Sequence, residues 1–195
     1  MILIAHRINK ISQLNNINAK FGIEIDIRDD NKKLIVVHDP FKKGEELNKF
    51  LKNFRHKFLI ANIKSERIEN KLIKIFRKKK INNYFFLDSS FPKIMDLVKL
   101  NFKKIALRAS YFEGLEPCKK LKGKVEWVWY DTFKGLPKKF DELYFLKKLN
   151  YKICLVCPKL HNPKTKLNED IIRKLREKKI IDAVCTKKKF FKYWN

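Results

Sequence analysis

Short apolar runs alternate along the whole chain with longer stretches in which apolar residues recur at helical spacing. The short runs predict buried strands, and the longer stretches predict amphipathic helices, as where Ile68, Leu72 and Phe76 share one face. The predicted strands are Ile2–Ala5, 22–27, 34–37, Phe58–Ile63, Tyr84–Leu87, 105–107, 126–130, Lys152–Val156 and 181–185. The predicted helices are 45–54, 66–80, 93–100, 138–149 and 169–179.

This repeated alternation is typical of a parallel α/β fold. The strand at 34–37 is expected to form a hairpin with the strand before it, and the other strands give about eight strand–helix units in one domain spanning residues 1–195. We therefore predict a compact TIM-type (β/α)8 barrel, with roughly 24 residues for each unit. The main alternative is a doubly wound open sheet. That fold usually has a glycine-rich turn after its first strand, whereas the turn at residues 6–9 contains no glycine.

Two carboxylates share one face of the second predicted strand. Because side chains alternate across a strand, Glu24 and Asp26 lie on one side and three isoleucines lie on the other. In a barrel the isoleucines would pack on the helices, which places both carboxylates inside. Two buried like charges repel each other, and a hard divalent cation such as Mg²⁺ or Ca²⁺ would relieve that repulsion. The alternative is a strand whose acidic face is exposed to solvent.

Two histidines stand at strand ends on either side of this acidic strand. His6 follows the first strand, and His38 follows the strand at 34–37. Histidine suits proton transfer near neutral pH, so the pair could supply one base and one acid. Asn62 and Lys64 share a face of the next barrel strand, where the amide could ligate a hard cation and the ammonium could balance charge on a phosphoryl group. Taken singly, each of these residues also has an ordinary structural interpretation.

Four short motifs follow one another over residues 2–64, namely Ala5-His6-Arg7, Glu24-x-Asp26, His38-Asp39 and Asn62-x-Lys64. In residue type and spacing they resemble the glycerophosphodiester phosphodiesterase family and its relative sphingomyelinase D, which belong to the superfamily of phosphatidylinositol-phospholipase-C-like barrels. Thinner similarities to that family follow at 87–91, Trp129 and 181–186. The resemblance implies a barrel that cleaves phosphodiesters with the help of a divalent metal.

The resemblance also implies roles for individual residues. In that family the two histidines act as acid and base, the arginine binds phosphate, and the Glu-x-Asp pair holds the metal together with a third carboxylate. Arg108 and Asp131 follow later strands and would lie at the same rim of a barrel, so we add them as substrate contacts. The candidates are the catalytic His6 and His38, the phosphate-binding Arg7, Lys64 and Arg108, and the metal ligands Glu24, Asp26 and Asn62 for Mg²⁺ or Ca²⁺.

The chain departs from the family pattern at several positions. Ile8 stands where the family usually has glycine, Asn62 stands in the position of the third carboxylate, and Lys187 stands where the family often has aspartate. The Glu-Asn-Thr segment of the family is absent, with 14–16 as the nearest match. These departures predict a divergent member whose substrate is another small phosphodiester. They also leave open a phosphoryl-ligand binding barrel that has lost turnover.

The net charge of +26 suggests a polyanionic partner such as nucleic acid. However, the lysines are spread along the whole chain, and their excess accompanies abundant Ile, Asn and Phe, a mixture that A/T-rich codons produce without selection for binding. The chain also lacks a recognisable nucleic-acid-binding motif. We therefore expect no specific nucleic-acid partner, and a basic nucleic-acid-binding protein remains the alternative.

The amino-terminal residues do not resemble a secretory signal, and no apolar run approaches the roughly 18 residues that span a membrane. We accordingly predict a cytoplasmic protein without a transmembrane segment, whose four cysteines are reduced. Cys154 and Cys157, with His161 nearby, have a spacing typical of zinc ligands. Residues three apart in a strand point to opposite faces, which argues against a zinc site there.

Overall fold

Strands and helices alternate along the part of the chain that the structure describes, residues 1–31 and 33–195 of a computed structural model. The strands are β1 (Ile2–Ala5), β2 (Gly22–Asp30), β3 (Lys33–Val36), β4 (Glu45–Glu46), β5 (Phe58–Ile63), β6 (Tyr84–Leu87), β7 (Ala106–Ala109), β8 (Trp127–Tyr130), β9 (Lys152–Val156) and β10 (Ala183–Thr186). The helices are α1 (Ile11–Asn15), α2 (Leu47–Lys52), α3 (Glu69–Lys78), α4 (Phe91–Lys99), α5 (Glu116–Lys120), α6 (Asp141–Lys148) and α7 (Glu169–Glu177). Short 3-10 helices cover Pro158–Leu160 and Lys188–Tyr193.

The parallel strands follow one another in the ring order β1, β2, β5, β6, β7, β8, β9 and β10. The first and last of these pair directly, with Ile2 opposite Ala183. Between β6 and β7 the connection is an isolated parallel bridge that joins Phe86 to Ile105. In a doubly wound open sheet β1 would not pair with the last strand, so that alternative is wrong and the predicted barrel fold is confirmed.

The barrel has an apolar layer inside the strands and another between the strands and the helices. The inner layer includes Phe58, Phe85 and Trp127, whose ring centroids lie 4.9–5.7 Å apart. Gly22 makes room for this layer, because a Cβ there would lie 2.9 Å from the Ile4 side chain. The outer layer contains the three isoleucines of β2, which are fully buried as predicted. The interior of β2 therefore holds a glycine at the bottom and two carboxylates above it.

Several element boundaries differ from the sequence prediction. The helix expected at 45–54 begins only at Leu47, because the two residues before it pair with β3 and extend the predicted hairpin. The helices α1 and α5 were not predicted, since five residues are too few to show a helical period. Asn168 caps the last helix, because its side chain accepts a hydrogen bond from the Ile171 N–H at 3.0 Å.

The cysteines form no disulfide in the described structure and all four are buried. Cys154 belongs to the inner apolar layer and Cys157 to the outer one, so the two do not converge on a zinc site. Burial raises the pKa of the Cys154 thiol well above its ordinary value. Among the described residues, no helix is both long and apolar enough to cross a membrane.

Candidate active site

The carboxyl ends of neighbouring parallel strands bring the predicted polar residues to one end of the barrel. Asp26 on β2 lies opposite Asn62 on β5, and the peptide N–H of Val37 donates to the Asp26 carbonyl, which leads His38 to the same edge. On the first strand, His6 continues the ladder by donating its peptide N–H to the Thr186 carbonyl. The motifs at 2–64 therefore meet in space.

Glu24 is fully buried at the centre of this arrangement. Its Oε1 accepts a hydrogen bond from the Asn62 amide at 3.0 Å, and its Oε2 accepts one from the Arg7 peptide N–H at 2.6 Å. The His6 Nε2 lies 3.9 Å from the same Oε2. Burial, and after it the neighbouring Asp26 carboxylate, raises the pKa of Glu24 to about 7. A negative charge here is thus costly unless a proton or a cation offsets it.

Asp26 is also fully buried, so the alternative of a solvent-exposed acidic face is wrong for this strand. Its Oδ2 accepts a hydrogen bond from the Asn9 amide at 2.8 Å, and the Asn9 side-chain oxygen accepts from the Asp26 peptide N–H at 2.9 Å. The Nζ of Lys64 lies 3.8 Å from Asp26 Oδ1. Asn9 therefore holds the carboxylate in place, a role that the sequence analysis did not assign.

We call Glu24, Asp26 and Asn62 the acidic cluster. Asp26 Oδ1 and Asn62 Oδ1 are buried and have no hydrogen-bond partner among residues 1–31 and 33–195. Buried oxygens are normally paired, and carboxylate and amide oxygens are the ligands that Mg²⁺ and Ca²⁺ prefer. Within the described chain no three His, Cys, Asp or Glu side chains are grouped to hold a metal, so a third protein ligand here would be the Asn62 amide. The donor set fits a hard divalent cation.

His6 and Arg7 border the acidic cluster at the end of β1. Burial lowers the pKa of His6 to about 3, and the charges of Arg7 and Lys187 act in the same direction. The His6 Nδ1 is buried, without a hydrogen-bond partner in the described part of the chain. Arg7 has a left-handed backbone with φ of 55°, which lets its peptide N–H reach Glu24 while its side chain turns to His38. The His6 imidazole is therefore neutral near pH 7.

His38 lies between the guanidinium of Arg7 and the carboxylate of Asp39. Its Nε2 is 2.6 Å from Arg7 Nη2, and its Nδ1 is 2.7 Å from Asp39 Oδ1. Because arginine can only donate, Nε2 accepts and Nδ1–H donates to Asp39. Arg28 fixes this segment, since its Nε donates to the His38 carbonyl at 3.0 Å and its Nη1 to the Lys64 carbonyl at 2.8 Å. Arg28 is a second positioning residue that the sequence analysis missed.

A second group of charges, the arginine cluster, lies beside the acidic cluster. Arg108 donates to three carboxylates: Nη1 to Asp88 at 2.7 Å, Nε to Glu113 at 3.0 Å and Nη2 to Asp131 at 2.5 Å. Asp131 also lies 3.2 Å from the Nε2 of His161. Burial raises the pKa of Asp131 to about 6, although Arg108 opposes that shift.

Lys64 joins the two clusters, because its Nζ also donates to Asp88 at 3.2 Å. The predicted site residues are thus found in one continuous network. Arg108 belongs to that network, but its guanidinium is already bound to carboxylates, and its phosphate-binding role stays a prediction. The residues added by the structure are Asn9, Arg28, Asp39, Asp88, Glu113 and His161. Of these, Asp39 and Asp88 lay inside segments that resemble the family, and His161 was noted only beside the two cysteines, whereas Asn9, Arg28 and Glu113 carried no signal.

The chain is similar to two solved structures. One is a glycerophosphodiester phosphodiesterase from Agrobacterium tumefaciens str. C58, with a TM-score of 0.68, 12% identity and 96% of each chain covered. The other is a glycerophosphoryl diester phosphodiesterase from Parabacteroides distasonis ATCC 8503, with a TM-score of 0.63, 12% identity and coverage of 94% of this chain and 81% of that one. No family model and no curated protein matches the sequence. The similarity shows that the barrel fold is shared over nearly the whole chain.

Proposed function

We propose that the protein is a metal-dependent phosphodiester hydrolase or lyase that acts on a small phosphodiester, with His6 and His38 as its acid–base pair. The observation that carries the proposal is the joining of both histidines, Arg7 and Lys64 to two buried carboxylates at one end of a barrel. This end is where barrel enzymes have their active sites. The fold shared with two phosphodiesterases supports the same reaction class.

The acidic cluster supplies a site for the metal, and two cations beside it supply a site for phosphate. Glu24, Asp26 and the Asn62 amide oxygen would hold Mg²⁺ or Ca²⁺, which when bound offsets negative charge on the phosphate oxygens. The guanidinium of Arg7 can donate two hydrogen bonds to a phosphate, and Lys64 adds a point charge at the edge of the same cluster. The chain thereby gathers positive charge where the reaction builds up negative charge.

The surroundings of the two histidines suit them to different tasks. The His6 imidazole is neutral near pH 7, and its Nε2 lies 3.9 Å from the Glu24 carboxylate, which would stabilise the imidazolium formed when His6 takes a proton from the nucleophile, whether water or a hydroxyl of the substrate. His38 donates its Nδ1–H to the Asp39 carboxylate, which fixes the ring with its Nε2 facing Arg7 and so suits His38 to give a proton to the leaving oxygen of a phosphodiester bound there. We therefore assign the base to His6 and the acid to His38.

Arg7 must change partner for this assignment to work. Its guanidinium occupies the His38 Nε2, the nitrogen that faces away from Asp39 and would carry the catalytic proton. A phosphate that enters beside Arg7 offers stronger, charge-assisted hydrogen bonds than a neutral imidazole does. Binding of substrate would then release the His38 Nε2 and allow it to be protonated.

A product-release assay on a panel of phosphodiesters, with Mg²⁺, with Ca²⁺ and with chelator, tests the proposal. We expect metal-dependent release that falls sharply in Glu24→Gln and Asp26→Asn, because each removes one charge from the metal site. Calorimetric titration of the metal should weaken in the same two variants. Unchanged metal affinity in both variants would show that the pair is not a ligand set and reject this mechanism.

A second candidate function rests on Asn62. In the resembled family this position is a carboxylate, and here a neutral amide donates to Glu24. A weaker metal site could leave a barrel that binds a phosphoryl ligand without cleaving it. Metal binding, together with saturable binding of a phosphodiester and no cleavage on the whole panel, would favour this candidate.

A further inference from the structure

Large aromatic side chains are exposed at the end of the barrel that carries the candidate active site. The rim aromatics are Phe41, Phe91, Tyr111, Phe112 and Phe133, with exposed fractions from 44% to 106%. They lie on the segment that contains His38 and on the segments that leave the carboxyl ends of β6, β7 and β8. The other large apolar side chains that are exposed in the described structure are Met1, Leu100 and Tyr144, before β1, after α4 and on α6. Exposed aromatic residues are thus concentrated at one end.

Phe41 shows that this exposure does not serve the fold. Its side chain is fully exposed, and its backbone has a φ of 59°, a left-handed conformation that is unfavourable for a bulky residue. Glycine or asparagine would fit this backbone better, and a polar side chain would be better hydrated. The left-handed backbone and the exposed apolar ring both disfavour phenylalanine in the isolated protein. An interaction with another molecule is therefore the natural explanation for phenylalanine at this position.

Basic side chains accompany the rim aromatics. Lys42 and Lys43 follow Phe41 directly, and Lys134 follows Phe133 and places its Nζ 3.2 Å from the centroid of the Tyr111 ring. Four carboxylates at this end already have partners within the chain, since Arg108 donates to three of them and His38 donates to a fourth. The net charge of +26 would attract the whole molecule to an anionic surface, and the rim aromatics would then decide which end faces that surface.

We propose that this rim docks onto an anionic lipid surface. The aromatic rings would enter the boundary between headgroups and acyl chains, and the lysines beside them would contact acidic headgroups. The candidate active site opens at the same end of the barrel. The substrate phosphodiester would then belong to a lipid of that surface. This assignment of the substrate rests on the proposed function, whereas the docking does not.

Two other partners fit the rim less well. A second copy of the chain would bring two molecules of +26 charge together, which repel each other, although salt weakens this repulsion. Single-stranded nucleic acid binds aromatic residues that follow one groove along the strand. The rim aromatics instead belong to segments that follow separate strands around the barrel mouth. This arrangement suits contact with a flat surface better than contact with a single extended strand.

Co-sedimentation with vesicles tests the docking. The vesicles contain phosphatidylcholine alone or phosphatidylcholine mixed with phosphatidylglycerol, and the test variant is Phe41→Ser/Phe91→Ser/Phe112→Ser. We expect the unaltered chain to bind the anionic vesicles and the variant to bind them about tenfold more weakly or worse, because each lost ring removes apolar area from the lipid boundary. The control variant Leu100→Ser/Tyr144→Ser removes two exposed apolar side chains elsewhere and should bind like the unaltered chain.

Several outcomes would overturn the docking proposal. These are equal vesicle binding by the rim variant, an equal loss in the control variant, or no binding of anionic vesicles by the unaltered chain. Rim-dependent binding of single-stranded DNA, or rim-dependent dimerisation, in the absence of vesicle binding would assign the surface to those partners instead. Hydrolysis of a water-soluble phosphodiester, measured in parallel, reports on the proposed function separately: hydrolysis without vesicle binding rejects the docking alone. Rim-dependent vesicle binding without hydrolysis supports the docking and counts against the enzyme.

Discussion

The acidic cluster and the arginine cluster lie side by side at the same end of the barrel, and Lys64 contacts both. In the arginine cluster each of the three kinds of guanidinium nitrogen donates to a carboxylate. In the acidic cluster, by contrast, Asp26 Oδ1 and Asn62 Oδ1 are buried without a hydrogen-bond partner in the part of the chain that is described. Every guanidinium nitrogen of the arginine cluster is thus hydrogen-bonded within the described chain, whereas two oxygens of the acidic cluster are not.

This difference separates two uses of buried charge. A buried charge that is fully paired within the chain mainly holds the surrounding segments in place, and breaking such a pair costs stability. A buried oxygen that remains unpaired costs stability in the free protein and is retained where a ligand completes it. We therefore expect substitutions in and around the acidic cluster to affect binding and turnover, and substitutions in the arginine cluster to affect stability first.

The largest expected effect is on turnover, and it distinguishes the two histidines beside the acidic cluster from the histidine beside the arginine cluster. His6→Ala and His38→Ala should each lower turnover by about 10²-fold or more while metal affinity stays nearly unchanged, since each removes a proton-transfer group and no ligand. His161→Ala is the matched control, because His161 contacts Asp131 and not the acidic cluster. Steady-state kinetics beside metal titration measure both quantities. A loss in His161→Ala as large as that in His6→Ala would contradict the division between the clusters.

The next effect concerns the stability that the arginine cluster supplies. Arg108→Met keeps the length of the side chain and leaves the buried Asp131 without its cation. We expect a loss of about 3 kcal/mol in the free energy of unfolding, at the low end for a broken buried pair because Arg108 is partly exposed. Urea denaturation measures it, with Arg173→Met as a control, since Arg173 pairs with Asp170 on the surface. A normal stability with a raised KM would instead assign Arg108 to substrate binding, as the sequence analysis predicts.

Asp131 makes a pH-dependent contribution to the same cluster. Its folded pKa is raised from the ordinary 3.8 to about 6, so the folded state holds a proton over a range in which the unfolded state has lost it. Its contribution to stability is therefore present below about pH 4, falls as pH rises towards 6 and is constant above that. Between pH 4 and pH 7 the chain should lose about 2 kcal/mol relative to Asp131→Asn, which cannot ionise. Urea midpoints at the two pH values measure this, and the opposite trend would mean that Arg108 outweighs burial.

The features that could be predicted from the sequence are those that depend on helical periodicity and on the alternation of side chains along a strand. The alternation of side chains in β2 was enough to place Glu24 and Asp26 inside the barrel, and the strand ends were enough to bring His6 and His38 to them. Elements of five residues, such as α1, fall below the length at which a period can be recognised. The two residues that became β4 were assigned to a helix, because pairing with β3 depends on a contact that the local pattern does not contain.

The residues that the sequence analysis missed act through contacts between distant segments. Asn9 holds Asp26 across 17 positions, and Arg28 joins two carbonyls that are 26 residues apart, His38 and Lys64. Nothing in the local pattern around an asparagine or an arginine specifies such a partner. The rim aromatics were missed for a related reason, since an apolar residue in a loop reads as buried until the fold shows which residues cover it.

The smallest effect we predict tests whether Asn62 leaves the acidic cluster incomplete. Asn62→Asp adds a third buried carboxylate, which should destabilise the metal-free protein by repulsion from Glu24 and tighten binding of Mg²⁺ or Ca²⁺. Each tenfold gain in affinity adds about 1.4 kcal/mol to the stabilisation by saturating metal, so the metal-induced rise in Tm should be larger than in the unaltered chain. Asn62→Leu, of similar size without an oxygen, should show a smaller rise. If both variants respond to metal like the unaltered chain, position 62 is not a ligand, and the unpaired Asn62 oxygen needs another explanation.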